Sequence, residues 1–152
     1  MTERATGQPP ARGPEHDALD AFAGSWRTEG ALGEGASGAA GTRVTGTESY
    51  EWLPGGWFMV NRWDREMGGS RHTGIGVVGI DPDAGALVTR AFDNLGFARV
   101  YATQVRGGVM TLTGERERGT VTARGGGLEI HWERTEDGET WLPLCDLAAS
   151  PG

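Results

Sequence analysis

Residues 42–66 read TRVTGTESYEWLPGGWFMVNRWDRE, two stretches of mixed apolar and polar residues on either side of a Pro-Gly-Gly turn. Along residues 42–53 the two types alternate, and alternation with a period of two is typical of a β-strand that buries one face. Residues 54–56 form the turn signal. Because this connection is too short for a crossover helix, the two strands are predicted to run antiparallel.

The same pattern of short strands and glycine-rich turns extends in both directions from this hairpin. Strands are predicted at residues 25–32, 42–53, 57–66, 72–80, 87–92, 97–105, 109–113, 120–123, 128–134 and 140–147. Short, regularly spaced strands without crossover helices indicate an all-β, antiparallel meander of about ten strands. Closure into an up-and-down barrel removes the open edges that a sandwich would leave, so we predict a ten-stranded β-barrel able to enclose a small ligand.

The first part of the chain differs from the rest. Residues 1–14 are polar and rich in Pro, Gly and Arg, which predicts a disordered N-terminal arm. Leu19 and Phe22, three residues apart within residues 16–23, indicate one or two helical turns that end at Gly24. The sequence therefore predicts a short N-terminal helix followed by one barrel domain, over residues 15–150.

The overall charge of the 152-residue chain is −7, which argues against nucleic acid and anionic membranes as partners. The sequence has neither an apolar run of membrane-spanning length nor the apolar segment of a secretory signal. Its one cysteine, Cys145, excludes an internal disulfide and is typical of a reducing compartment. We therefore expect a cytoplasmic protein with a small-molecule ligand or substrate, and we keep a homodimer open.

Several motifs resemble those of known barrel proteins. Gly24-Ser25-Trp26 follows the predicted helix at the start of the first strand, where lipocalins carry their Gly-x-Trp signature, and residues 24–30 resemble the opening strand of nitrobindins. Longer pieces are similar to an uncharacterised bacterial lipocalin-like family, at residues 51–58, 74–81, 92–96 and 132–141. This resemblance covers about residues 17–148 and implies the calycin fold, but that family has no common activity to transfer.

Alternation also predicts which side chains face the interior. On the strand over residues 42–53, the drier face carries Val44, Gly46, Glu48, Tyr50 and Trp52. A carboxylate among these groups must be paired, hydrogen-bonded or raised in pKa. Glu48 is therefore either the partner of an arginine in a structural network or an acid or base in a pocket.

On later strands, the same reasoning places aromatic and polar side chains inside. Arg99 and Tyr101 share a face and resemble the carboxylate clamp of fatty-acid-binding proteins, because a guanidinium and a phenol can bind one anion. The alternative places Arg99 outside and Tyr101 at the rim. The apolar face of residues 128–134 puts His131 outside. The predicted ligand-binding residues are Tyr50, Trp57, Met59, Asn61, Trp63, Arg99, Tyr101 and Trp132.

Two further residues join Glu48 as candidate catalytic groups. His72 lies near a strand start and shares its face with Gly74 and Gly76, which leaves room for a ligand at a barrel mouth. Asp93 begins the Asp-Asn-Leu-Gly segment at residues 93–96, which is first of all a hairpin turn. The catalytic candidates are therefore Glu48, His72 and Asp93.

Motifs of other function classes are missing from the sequence. It has no phosphate-binding glycine loop, no nucleophile elbow and no zinc-ligand spacing. We therefore expect no metal and no cofactor, and predict binding of a hydrophobic or aromatic small molecule. The alternative is a cofactor-free cyclase or isomerase acting on a hydrophobic intermediate of secondary metabolism.

Haem is a further alternative, implied by the resemblance to nitrobindins. Those proteins hold the haem iron with a histidine close to the C-terminus, whereas residues 141–147 here contain none. Haem would need His72, His131 or a Cys145 thiolate as its axial ligand. The sequence therefore disfavours haem.

Overall fold

Ten antiparallel strands close into a barrel in the computed structural model, which describes residues 11–152. The strands are β1 (Gly24–Leu32), β2 (Arg43–Trp52), β3 (Phe58–Met67), β4 (Ser70–Asp81), β5 (Ala86–Asp93), β6 (Ala98–Arg106), β7 (Val109–Thr113), β8 (Glu117–Arg124), β9 (Gly127–Thr135) and β10 (Trp141–Pro151). Each strand pairs with its neighbours in sequence, and β1 pairs with β10 to complete the ring. This closed up-and-down barrel confirms the predicted fold.

A short helix closes one end of the barrel. The helix α1 spans Pro14–Leu19 and continues into a 3₁₀ turn over Asp20–Phe22. Leu19 and Phe22 are completely buried. The Phe22 carbonyl accepts a hydrogen bond of 3.0 Å from the indole nitrogen of Trp26. The tryptophan of the Gly-x-Trp motif therefore joins the helix to the start of β1, and we call this the closed end.

The structure describes only part of the segment predicted as an arm, because residues 1–10 lie outside the described residues. Arg12 already contacts the barrel: its Nε donates to the Gly56 carbonyl at 2.9 Å, and its guanidinium carbon lies 4.8 Å from the centroid of the Trp52 ring. No helix within residues 11–152 has the length and apolar character needed to span a membrane.

Inward-facing side chains fill the closed half of the barrel. Along β2 the facing pattern follows the alternation, since Val44, Glu48 and Tyr50 are buried while Thr47 and Glu51 are exposed. The other buried apolar residues around this core include Met59, Val78, Leu87, Met110, Leu112, Val121, Leu128, Ile130 and Leu147. Inward side chains that keep partial exposure, such as His72 and Arg99, lie near the end of the barrel opposite α1, which we call the open end.

Most strand boundaries differ from the prediction by one or more residues, and three of them show what sets the ends. β3 begins at Phe58, so Trp57 lies in the preceding turn, where its ring centroid is 5.6 Å from that of His16. β8 begins at Glu117, three residues before the apolar alternation becomes visible. β10 continues to Pro151, because its last residues pair with the start of β1, at Trp26. Pairing partners, rather than local periodicity, set these ends.

The outer wall of β4–β6 is apolar near the open end. Its exposed large side chains are Ile75, Phe92 and Val100, and Leu95 and Phe97 are exposed in the turn between β5 and β6. Ile75 pairs with Phe92 across the strands, which makes this surface continuous. Exposed apolar patches often mark contacts between proteins. The homodimer considered above stays a prediction.

Candidate functional site

A buried ion pair lies on the inner face of β2 and β3. Glu48 is only 3% exposed, and its Oε1 accepts a hydrogen bond of 2.5 Å from Nη2 of Arg65. The Tyr50 hydroxyl donates to the other carboxylate oxygen at 3.2 Å. Glu48 therefore has the arginine partner that the structural alternative required, and a catalytic role for it stays a prediction.

Burial and the neighbouring charge also decide the protonation of Tyr50. Removal from water raises the pKa of this phenol well above its usual value, and the adjacent Glu48 carboxylate raises it further. Tyr50 is thus a neutral donor at ordinary pH. Together, Glu48, Arg65 and Tyr50 form a group that carries no net charge.

A second polar group, the open-end network, crosses the inner face from β4 to β8. The imidazole Nε2 of His72 lies 3.1 Å from Asp93 Oδ2, and Arg99 lies 3.5 Å from the same oxygen. Arg99 also lies 3.4 Å from Glu117, which accepts a hydrogen bond of 3.2 Å from the Tyr101 hydroxyl. The network thus links five side chains of four strands, in the order His72, Asp93, Arg99, Glu117 and Tyr101.

Asp93 serves both the turn and the network. Its Oδ1 accepts hydrogen bonds from the backbone N–H groups of Leu95 and Phe97, at 2.9 and 3.1 Å, which is the turn role that the sequence indicated. Burial raises the pKa of Asp93, but the hydrogen bond from His72 and the two backbone bonds outweigh it, so the pKa falls below its usual value. Asp93 is therefore held as a carboxylate beside His72.

The predicted Arg99–Tyr101 clamp faces inward, but it already has carboxylate partners. Burial raises the pKa of Tyr101, and Glu117 raises it further, so Tyr101 stays a neutral donor to Glu117. A bound anion would have to compete with Glu117 and Asp93 for these donors. Glu117 was missed by the sequence analysis, although its alternation with Gly119 and Val121 is a signal for it.

Three aromatic rings of the open half lie flat against the inner wall, each over a glycine. A Cβ added to Gly74 would lie 2.3 Å from Cζ2 of Trp63, and one added to Gly119 would lie 2.6 Å from Cδ2 of Trp132. Tyr101 covers Gly114 in the same way, at 2.9 Å. The rings therefore occupy the places that side chains would take at these glycines.

The inward side chains of the open end remain within reach of solvent. The side chains of His72, Arg99 and Glu117 are 28%, 35% and 23% exposed. Trp63 and Trp132 are half-buried. These residues therefore form a solvent-accessible inner surface at the barrel mouth, which we call the cup.

Two grooves of about 480 Å³ each lie elsewhere, on the outer wall. One is lined by Thr45, Thr47, Asp64, Glu66 and Arg71, whose side chains alternate with the inward set of β2–β4. The other lies across β8, β9, β10 and β1. Neither groove includes a residue predicted to bind the small molecule or to act in catalysis.

The structure thus separates the predicted site residues into two groups. The open end brings together Trp63, His72, Asp93, Arg99, Tyr101 and Trp132. Tyr50 and Met59 are buried deeper, Asn61 donates to the Ser49 carbonyl at 3.1 Å, and Trp57 lies in its turn at the closed end. His131 hydrogen-bonds Asp146 on the outer wall, as expected. In residues 11–152 no three His, Cys, Asp or Glu side chains converge as a metal site would require.

Replacing Asp93 with asparagine is expected to lower the free energy of unfolding by about 1–2 kcal/mol at pH 7, since the amide cannot serve every donor of the carboxylate. The pKa of Asp93 is lowered by folding, so its stabilisation is complete above the unfolded value of about 4 and is lost as the pH falls below it. The difference between wild type and variant, measured by urea denaturation, should therefore shrink toward acid pH. Asp83, exposed in a turn, provides the control: Asp83→Asn should give no such difference at any pH.

A model of one protein family, described as "Protein of unknown function (DUF1579)", matches residues 11–131. No curated protein matches the chain. Among solved structures, Rv2717c from M. tuberculosis is similar, with a TM-score of 0.69 and 13% sequence identity over 92% of this chain and 98% of that one. At this identity, the likeness establishes the shared fold alone.

Proposed function

The chain belongs to the DUF1579 family, whose description names no activity, and from its site we propose that it binds a hydrophobic or aromatic small molecule in the open end of its barrel. The observation that carries this proposal is the pair of tryptophan rings held against opposite walls of the cup. In the ring of strands, β3 with Trp63 is separated from β9 with Trp132 by β2, β1 and β10 on one side and by β4–β8 on the other.

The chemistry of the cup supports an apolar ligand with few polar contacts. Small-molecule sites are mostly lined by aromatic and apolar groups, with a small number of placed polar atoms that fix orientation. Trp63 and Trp132 offer flat apolar surface, and the polar groups between them are already satisfied in the open-end network. A planar ligand between the two indoles would cover them from solvent, with a gain from apolar burial and offset stacking.

The full chain should bind N-phenyl-1-naphthylamine, a neutral probe that brightens in apolar surroundings, with saturable one-to-one stoichiometry. Trp132→Ala should weaken this binding about tenfold, because it removes one aromatic wall of the cup. Trp141→Ala is the matched control, since Trp141 lies on the outer wall with the Arg118 guanidinium carbon 4.1 Å from its ring centroid. Absence of saturation in the wild type, or equal weakening by both variants, would contradict the proposal.

The His72–Asp93 pair favours a second candidate, proton transfer without a cofactor. Asp93 Oδ2 lies 3.1 Å from Nε2 of the His72 imidazole. A carboxylate that accepts a hydrogen bond at this position keeps the proton on Nε2 and so fixes the tautomer of a general base. Nδ1 is then the ring nitrogen available to a bound molecule, at the barrel mouth beside the Trp63 ring. An isomerase or cyclase acting on a hydrophobic intermediate would use such a group.

A model reaction tests this candidate. In heavy water, a general base removes a methyl proton from 2-acetylnaphthalene to give the enolate, which then takes a deuteron from solvent. The wild type should accelerate this exchange, followed by proton NMR, and His72→Gln should lower the rate about 100-fold. His131→Gln, altered on the outer wall, should exchange at the wild-type rate. Equal rates for the wild type and His72→Gln would remove the candidate.

Haem is not proposed, because the groups near the cup fit it poorly. Burial raises the pKa of the Cys145 thiol, which disfavours the thiolate that would bind iron. His131 lies on the outer wall, and the closed half below His72 is filled by side chains such as Met59 and Val78. A Soret band that appears on haem addition and is lost in His72→Gln would overturn this view.

A further inference from the structure

Five large apolar side chains are exposed together on the outside of the barrel near the open end, and we call this surface the β4–β6 patch. It consists of Ile75 on β4, Phe92 on β5, Val100 on β6, and Leu95 and Phe97 in the turn between β5 and β6. Phe92 is the centre of the patch, because it pairs with Ile75 on one side and with a β6 residue on the other. Exposed apolar surface of this kind marks a contact with another molecule.

The turn that carries part of the patch is held rigidly. Asp93 Oδ1 accepts hydrogen bonds from the backbone N–H groups of Leu95 and Phe97, and Asn94 Oδ1 accepts one of 2.9 Å from the N–H of Thr73 on β4. Polar side chains thus fix the backbone that presents two exposed apolar side chains to solvent. A surface ordered in advance loses little entropy when a partner covers it.

The charge around the patch differs from that of the whole chain. Residues 70–106 contain four arginines and three aspartates, whereas the whole chain carries a charge of −7. Asp93 faces inward, Asp83 lies in a turn at the closed end, and Asp81 lies 3.7 Å from Arg90. Two negatively charged copies of the chain can therefore meet at this wall without placing unpaired carboxylates against each other.

The area of the patch fits a dimer interface. Its five residues are 36–66% exposed, which leaves roughly 350 Å² of apolar surface, at about 200 Å² for a full phenylalanine side chain and about 100 Å² for an aliphatic one. A standard interface buries about 800 Å² on each partner, of which about 450–500 Å² is apolar. The patch supplies most of this area, and the exposed Ala98 and Ala102 on the same face of β6 add to it.

The described residues offer no second apolar patch that could cover the first. Their other exposed large apolar side chains are dispersed, with Leu53 and Phe58 towards the closed end and Leu142 on β10. A head-to-tail contact between copies would set the patch against a polar wall, whereas a two-fold contact sets it against itself. We propose that two copies of the chain form a symmetric dimer through their β4–β6 patches, with Phe92 at the two-fold axis.

The association of the full chain tests this inference, which goes beyond ligand binding because the contact lies outside the barrel. Sedimentation equilibrium over a concentration series should show a reversible change from one chain to twice its mass. Phe92→Glu should weaken association at least about 100-fold, because a two-fold contact buries the new carboxylate twice. Leu142→Glu makes the same kind of change on β10 and should associate as the wild type does.

Val100→Glu is a second variant within the patch and should also weaken association, and circular dichroism checks that each variant is folded. A wild type that stays monomeric, or equal association of Phe92→Glu and Leu142→Glu, would overturn the inference. The patch would then belong to a contact with a different protein. Saturable binding of N-phenyl-1-naphthylamine by the monomeric variants would show that the proposed function stands or falls separately.

Mixing two charge variants tests the two-fold geometry. Phe92→Glu and Phe92→Arg should each be monomeric alone, because like charges would meet at the axis. An equal mixture of the two should form dimers, since a carboxylate on one copy then faces a guanidinium on the other. A mixture that remains monomeric would contradict the symmetric contact at Phe92.

Discussion

Replacing Glu48 with alanine is expected to lower the free energy of unfolding by about 3–5 kcal/mol, the cost of leaving one member of a buried ion pair without its partner. Glu48 and Arg65 are 3% and 9% exposed, so solvent cannot replace the lost carboxylate. The Tyr50 hydroxyl, also buried, loses its acceptor at the same time.

Urea denaturation measures the change, with a lower midpoint and an unaltered slope as the expected result. Glu51 lies on the same strand but faces outward and is exposed, so Glu51→Ala should change the stability by no more than about 0.5 kcal/mol. A double variant, Glu48→Leu with Arg65→Met, removes both charges and should be more stable than Glu48→Ala. If Glu48→Ala were as stable as Glu51→Ala, Arg65 would not depend on this carboxylate.

Arg65, the partner of Glu48, shows how much of the site can be predicted from alternation alone. The hairpin over residues 42–66 and the inward face of β2 follow from local periodicity, because the side-chain period of a strand is fixed. Extending the inward set of β3 by one step beyond Trp63 gives Arg65, so the buried arginine was within reach of the sequence. Its pairing with Glu48 depends in addition on the register between β2 and β3.

The open-end network depended on information that local patterns do not contain. Arg99 and Tyr101 were placed on one face correctly, but their partner Glu117 comes from β8, and only the long-range order of the strands brings it close. The polar residues at 115–118 hide the start of β8, since the strand is read from apolar alternation. Whether the Arg99 guanidinium is free to bind an anion therefore depends on its pairing with side chains of distant strands.

The glycines under the aromatic rings show the same limit. From the sequence, Gly74 was interpreted as a small residue that leaves room for a ligand, and no role was predicted for Gly119. In the structure, each is the cross-strand partner of a tryptophan, Trp63 or Trp132. A glycine beside an aromatic residue across two antiparallel strands is a packing unit, with the ring covering the exposed backbone.

Substituting alanine for Gly74 is accordingly expected to lower the free energy of unfolding by about 3 kcal/mol, at the upper end of the usual cost of overpacking. The new methyl group would lie 2.3 Å from the Trp63 ring and 2.5 Å from the Phe92 carbonyl oxygen. The ring can turn away, but the carbonyl belongs to the β5 backbone and cannot move without disturbing the sheet. The displaced indole should also change the tryptophan fluorescence and weaken binding of N-phenyl-1-naphthylamine.

Gly76 offers a matched control on the same strand and the same face. A Cβ there meets its nearest atom, Thr89 Cγ2, at 3.5 Å, which is ordinary contact. Gly76→Ala should therefore change the stability by less than about 1 kcal/mol, with a gain in strand propensity opposing any crowding. Comparing the two variants by urea denaturation distinguishes the effect of replacing any glycine on this face from the effect of displacing the Trp63 ring. Equal stability of the two would mean that Trp63 is not held against Gly74, and the flat wall on which the ligand proposal rests would be lost with it.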